Sequence, residues 1–125
     1  MTTRIIVSAE TDQGLEAPIS PHFGHCPYFT VVDVEGKEIR AVGSAANPYS
    51  AGHQPGEIPA FVQGLGAQVM LSGGMGGRAI ALFEEYGIQP ATGATGTVSE
   101  ALTRYLNGDL DAAAPCSESV EHGHG

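Results

Sequence analysis

The spacing of apolar residues changes partway along this chain, and that change limits the folds open to it. Up to residue 43 the runs are short and extended. Arg4 to Ala9 is an apolar run that reads as a buried strand, Tyr28 to Val34 is rich in aromatic and β-branched residues, and Lys37 to Gly43 alternates. Glu35-Gly36 supplies the tight turn of a hairpin between the last two. From Ile58 the period becomes helical: Ile58, Phe61, Val62 and Leu65 fall at i, i+3, i+4 and i+7. Gln68 to Ser72 is then an apolar strand. Ala79, Ile80, Phe83 and Tyr86 repeat the helical spacing, Ile88 to Ala91 is a short strand, and Val98, Ala101, Leu102 and Tyr105 form a third helical stripe. Thr97 and Glu100 stand at capping-box spacing before that stripe, and Asn107-Gly108 suits its C-terminal end.

The order β-β-β-α-β-α-β-α predicts one α/β domain, in which a meander leads into βα units. The expected sheet is mixed and five-stranded, in the order 3-2-1-4-5, with helices on its faces. Strands 1, 4 and 5 run parallel and strand 2 antiparallel. Glu10 to Pro27 and Ser44 to Gly56 show no period and read as long loops. In this topology the loops after strands 1, 3, 4 and 5 share one end of the sheet, and Glu35-Gly36 lies at the other. Ligands bind beyond the carboxyl ends of strands in open α/β sheets, so the shared end is the expected site. The domain is expected over residues 1–110, with 111–125 a flexible Cys- and His-bearing tail that has no core pattern.

Net charge is −9, from five Lys and Arg against 14 Asp and Glu. Such a surface does not suit nucleic acid, whose phosphates call for basic side chains, or an anionic membrane. It suits cations or a basic protein partner. No stretch has the length of a membrane-spanning helix, and Met1 to Val7 lacks the apolar core of a signal peptide. The expectation is a cytoplasmic protein with reduced thiols.

Both cysteines and four of the five histidines fall in two clusters. His22, His25 and Cys26 share one loop, and Cys116, His122 and His124 lie in the tail. Thiolate and imidazole are the ligands of zinc, copper, iron and iron–sulfur sites. The topology brings His53, after strand 3, to the same end. Cys26 is thus the candidate principal thiolate, with His22, His25 and His53 in support. Cys116, His122 and His124 could fold over the site and complete a four-coordinate ion or a mixed-ligand cluster. Without a CxxC or HxxxH pattern, the spacing taken alone fits a buried structural cysteine beside a surface histidine better than a metal site. Two cysteines cannot make a four-thiolate site in one chain, which leaves room for a site shared between copies.

Gly73, Gly74, Gly76, Gly77 and Arg78 link a strand to a helix. Gly74, Gly76 and Ala79 mimic a dinucleotide fingerprint, but they follow the fourth strand and no acidic residue follows to hold a ribose. The run offers backbone N–H groups and a helix N-terminus, with Arg78 nearby, as a seat for an anion. A close-packed strand–helix turn would use the same glycines. No orienting carboxylate or GxSxG elbow accompanies Cys26, so nucleophilic catalysis is not indicated.

In order along the chain stand Ser20-Pro21-His22-Phe23-Gly24 with Cys26 and Tyr28-Phe29; His53-x-Pro55-Gly56; Ser72-Gly73-Gly74-Met75-Gly76-Gly77-Arg78-Ala79; and Gly87-Ile88 followed by Gly93-x-x-Gly96-Thr97. This set resembles the dinitrogenase iron–molybdenum cofactor biosynthesis family, small NifX-like domains with a ribonuclease H-like sheet. The resemblance runs from Arg4 to Leu110. It implies binding, carriage or assembly of an iron–sulfur or molybdenum–iron–sulfur cluster, without catalytic turnover, in exchange with a donor or acceptor protein. Many members carry Arg where this chain has His25. Other readings of the residues are a site for a single transition-metal ion, a small phosphorylated-ligand-binding enzyme or regulator using Gly73–Arg78, and a structural interaction module. A homo-oligomer is compatible with each.

Overall fold

The structure, a computed structural model, describes residues 2–21, 23, 25–48, 57–108 and 110. Strand β1 (Thr2–Ala9) is followed by a 3₁₀ turn (Gly14–Glu16), β2 (Tyr28–Glu35) and β3 (Glu38–Ala46). Then come α1 (Glu57–Gly64), β4 (Val69–Leu71), α2 (Gly77–Glu85), β5 (Gln89–Ala91) and α3 (Val98–Leu106). They form one five-stranded sheet in the order β3-β2-β1-β4-β5. β1 pairs antiparallel with β2 and parallel with β4, and β4 pairs parallel with β5. This is the expected class, order and sense of pairing.

Alternation along the strands divides the core between the two faces of the sheet. Ile5, Val7, Val32, Val34, Val69 and Leu71 point to one face, where α3 covers them with Val98, Ala101 and Leu102. Ile6, Phe29 and Met70 point to the other, against Ile58 and Val62 of α1 and Ile80 and Phe83 of α2. β1 is central, so Ile5, Ile6 and Val7 are all fully buried. The helical stripes read from the sequence are therefore the buried faces of the three helices. Thr97 caps α3 as the spacing predicts: its hydroxyl accepts from the Glu100 N–H at 3.2 Å, and the Glu100 carboxylate accepts from the Thr97 N–H at 3.1 Å. Arg4 ties the sheet to the turn that follows α1. It grips Asp33 through Nε and Nη2 at 2.8 and 3.1 Å, and its Nη1 donates to the Leu65 carbonyl at 2.8 Å.

Two segments differ from the sequence expectation. Ser44 to Ala46 continues β3 rather than starting a loop, because Tyr28 to Thr30 of β2 extends far enough to pair with it. Glu10 to Pro27 is not a free loop. After the 3₁₀ turn it comes back antiparallel to the end of β1, bridging Ala9 to Ile19 and Pro18 to Thr97. Its own polar backbone, not side-chain periodicity, drives this, since buried N–H and C=O groups must find partners. Leu110 packs against the α3 face of the core, and residues 111–125 lie outside the described residues. No helix among the described residues is long and apolar enough to cross a membrane.

Candidate functional site

The loops after β1, β4 and β5 meet at one end of the sheet and are held together by backbone hydrogen bonds. The Ser20 N–H donates to the Ser8 carbonyl at 3.0 Å, and the Ile19 N–H to Gly96 at 2.9 Å. The Gly73 N–H donates to the Ser20 carbonyl at 3.3 Å, and the Phe23 N–H to Gly74 at 3.2 Å. The Gly93 N–H closes the ring on the Gly73 carbonyl at 3.1 Å. The first loop thus lies directly on the glycine run.

That approach explains Gly73. A Cβ there would fall 2.8 Å from Pro21 Cα and 3.0 Å from the Ser20 oxygen, both backbone atoms. Gly76 differs: its φ is −71°, and a Cβ would meet nothing within 4 Å. It is the N-cap of α2, where no side chain caps the helix and no acidic residue occupies the first turn. Arg78, in that turn, is exposed. The end of the run is therefore a helix start that no described side chain caps, with an exposed cation in its first turn.

Beneath the rim lies a hydroxyl chain that sequence reading missed. Ser8 Oγ sits 2.9 Å from Ser72 Oγ, whose own proton goes to the Gly74 carbonyl at 2.9 Å. Ser8, Ser20 and Ser72 are all buried. Serines inside two apolar strand runs that become neighbours were the available signal, because a buried hydroxyl needs a partner.

Cys26 does not present its thiol to the rim. It is fully buried in the core cluster that holds Phe23, Phe29 and Met75. Phe23 packs within this cluster, with its ring 6.0 Å from Phe29 and edge-on to Phe83 at 5.2 Å. Asn47, within the stretch Ser44 to Gly56 expected as a loop, also holds the cysteine. Its Nδ2 donates to the Cys26 carbonyl at 2.8 Å and lies 4.0 Å from Sγ. Burial pushes the thiol from its ordinary 9.0 up to about 12, against smaller downward pulls from hydrogen bonding at Ala9 and Asn47. At neutral pH Cys26 is a thiol, not a thiolate.

His25 is exposed beside it. His22, His53, Cys116, His122 and His124 lie outside the described residues. Among the described residues no three His, Cys, Asp or Glu side chains come together as a metal site. The structure therefore brings the Cys26 loop to the glycine run, with the thiol buried in the core cluster that also holds Phe23.

Comparison with known proteins agrees with this frame. The family described as dinitrogenase iron-molybdenum cofactor matches residues 3–108. The chain is similar to the crystal structure of PH0822, with 34% identity and a TM-score of 0.77 over 88% of this chain and 96% of that one. It is also similar to the apo form of the orange protein (ORP) from Desulfovibrio gigas, with 29% identity and a TM-score of 0.79 over 90% of this chain and 94% of that one. An uncharacterized protein of Methanocaldococcus jannaschii is 28% identical over 95 residues, which is 74% of this chain and 80% of the relative. The chain belongs to the dinitrogenase iron-molybdenum cofactor family.

Proposed function

We propose that this protein binds a metal–sulfur cluster of the iron–sulfur or iron–molybdenum type as cargo on this rim. It carries the cluster between a donor and an acceptor protein and does not turn it over. The observation that carries the reading is the joining of the Cys26 loop to the glycine run through Gly73–Ser20 and Phe23–Gly74. Sulfide-rich clusters are anionic, and uncapped N–H groups at the start of α2 with exposed Arg78 suit an anion. Cys26 is the thiolate candidate, with His22, His25 and His53 in support and Cys116, His122 and His124 as ligands from the tail. Because the thiol is buried and protonated, its ligation requires the core cluster around it to open and a proton to leave. Cargo is then held only while the loop is open, which suits a carrier better than a resident site.

A second reading takes the same uncapped helix start as the seat of a small phosphorylated ligand, in an enzyme or regulator. Anaerobic reconstitution with iron and sulfide, or with molybdate, separates the two. Carriage predicts near-stoichiometric metal and a charge-transfer band that survive desalting and fall in Cys26→Ala and Cys26→Ser. No retained metal, or retention unchanged in both variants, overturns it. A thermal shift on adding nucleotide to metal-free protein would favour the second reading.

A further inference from the structure

The two edges of the sheet are built differently. β5 is three residues long, with Pro90 at its centre, where the ring removes a backbone donor. β3 is the longest strand at nine residues, and no described residue pairs with its outer edge. Natural sheets blunt such edges with proline, lysine, bulges or covering segments. Here β3 itself carries a bulge at the hairpin end, where Arg40 is the extra residue between Ala41, opposite Asp33, and Ile39, opposite Val34, and Pro48 follows the other end. Between them, residues 41–47 carry no charge: Ala41, Val42, Gly43, Ser44, Ala45, Ala46 and Asn47.

The hydrogen-bond alternation shows which groups this stretch leaves free. The Asn47 N–H donates to the Pro27 carbonyl at 2.9 Å, so Asn47 faces β2. In an antiparallel ladder residues alternate between facing the partner and facing away. Val42, Ser44 and Ala46 therefore turn both N–H and C=O outward. Val42 is also 41% exposed and Ile39 37% exposed, both on the α3 face of the sheet, opposite Val32 and Val34.

We propose that this edge pairs antiparallel with β3 of a second copy, about a two-fold axis at Ser44, to give a continuous ten-stranded sheet. In that register Ser44 meets Ser44, and Val42 meets Ala46 of the second copy, so every outward group of the stretch is satisfied twice over the axis. Gly43 meets Ala45, and small side chains let the backbones close without steric conflict. Like charges facing across a ladder would oppose pairing, and this register has none between 41 and 47. The charges at the hairpin end are already answered in the chain, with Arg40 3.4 Å from Glu35 and 3.1 Å from Glu38. The net charge of −9 opposes self-association in general, and the uncharged stretch 41–47 is where two copies meet without setting like charges face to face. The contact closes, because both outer edges of the dimer are the short β5 strands. A single strand pair is smaller than a standard interface, so the dimer is weak and exchanging.

Sedimentation equilibrium of the full chain, up to about 1 mM, tests this. The wild type should pass from monomer to dimer as concentration rises, with amide exchange of Val42, Ser44 and Ala46 slowing in parallel. Ser44→Pro removes two symmetric hydrogen bonds at the axis without touching the β2 side, and should raise the dimer Kd roughly thirtyfold. Ser44→Lys, which sets like charges face to face, should weaken the dimer in the same direction and serves if the proline variant fails to fold. A wild type that stays monomeric, or a dimer that the folded Ser44 variants leave intact, overturns the proposal.

Discussion

Gly73 and Pro21 approach so closely that a single added carbon has no room. The Gly73 N–H reaches the Ser20 carbonyl at 3.3 Å, and a Cβ on Gly73 would stand 2.8 Å from Pro21 Cα. Both obstacles are backbone, so neither can swing aside as a flexible side chain would.

Gly73→Ala should therefore part the first loop from the glycine run, at a cost of about 2 kcal/mol typical of overpacking. Gly76→Ala, three residues on in the same motif, should cost no more than about 1 kcal/mol, the N-cap preference alone. Urea denaturation of the two variants measures the difference. Equal effects would mean that the close approach at Gly73 does not hold the rim.

Cys26 should resist thiol reagents in the native state. In a Cys116→Ser background, labelling by a disulfide reagent at neutral pH should be slow, and it should accelerate in Phe23→Ala, which takes a ring out of the cluster holding Cys26. The same burial sets a pH dependence. The folded state holds the Cys26 proton more tightly than the unfolded chain does, so this contribution to stability is intact below pH 9.0 and is lost as pH rises toward about 12. Tyr105, whose hydroxyl burial also pushes up, acts in the same direction. Thermal melts across this range should show a steeper alkaline loss in the wild type than in Cys26→Ala. Parallel curves would mean that Cys26 is not the buried thiol described.

Thr30 Oγ1 is buried on β2 with no hydrogen-bond partner among the described residues. Thr30→Val keeps the shape of the side chain and removes the unsatisfied hydroxyl, so it should stabilise the fold by about 1 kcal/mol. Guanidinium denaturation checks the sign. A loss of stability would mean that the hydroxyl is satisfied, for instance by an ordered water.

The fold was legible because its signals are local or periodic. The stripe Ile58, Phe61, Val62 and Leu65, the Thr97–Glu100 capping box and the β2–β3 hairpin each announce themselves within a few residues. The chain's return along 17–20 was not legible, because it is held by backbone bonds to Ser8 and Gly96, partners that only the assembled sheet brings near. The same holds for the site. The motif around Cys26 and the glycine run could be read, and the topology rightly brought them to one end. The buried cysteine beside an exposed histidine was one of the readings the spacing left open, and the spacing could not choose it, since burial depends on Phe23, Phe29 and Asn47 joining Cys26 in the folded chain. The length of β3 was misjudged for a related reason. Ser44, Ala45 and Ala46 have weak strand preference and become strand because β2 is there to pair with them.

If the rim receives the cluster, and not another part of the chain, cluster assembly must disturb the rim. Residue-resolved amide spectra, taken anaerobically as iron and sulfide are assembled on the labelled protein, test it most directly. Shifts or paramagnetic broadening should centre on residues 18–27, 73–78 and 93–97, with the β2–β3 turn at the opposite end of the sheet unchanged. Perturbation confined to 111–125, or spread over the far end of the sheet while the rim stays silent, would contradict it.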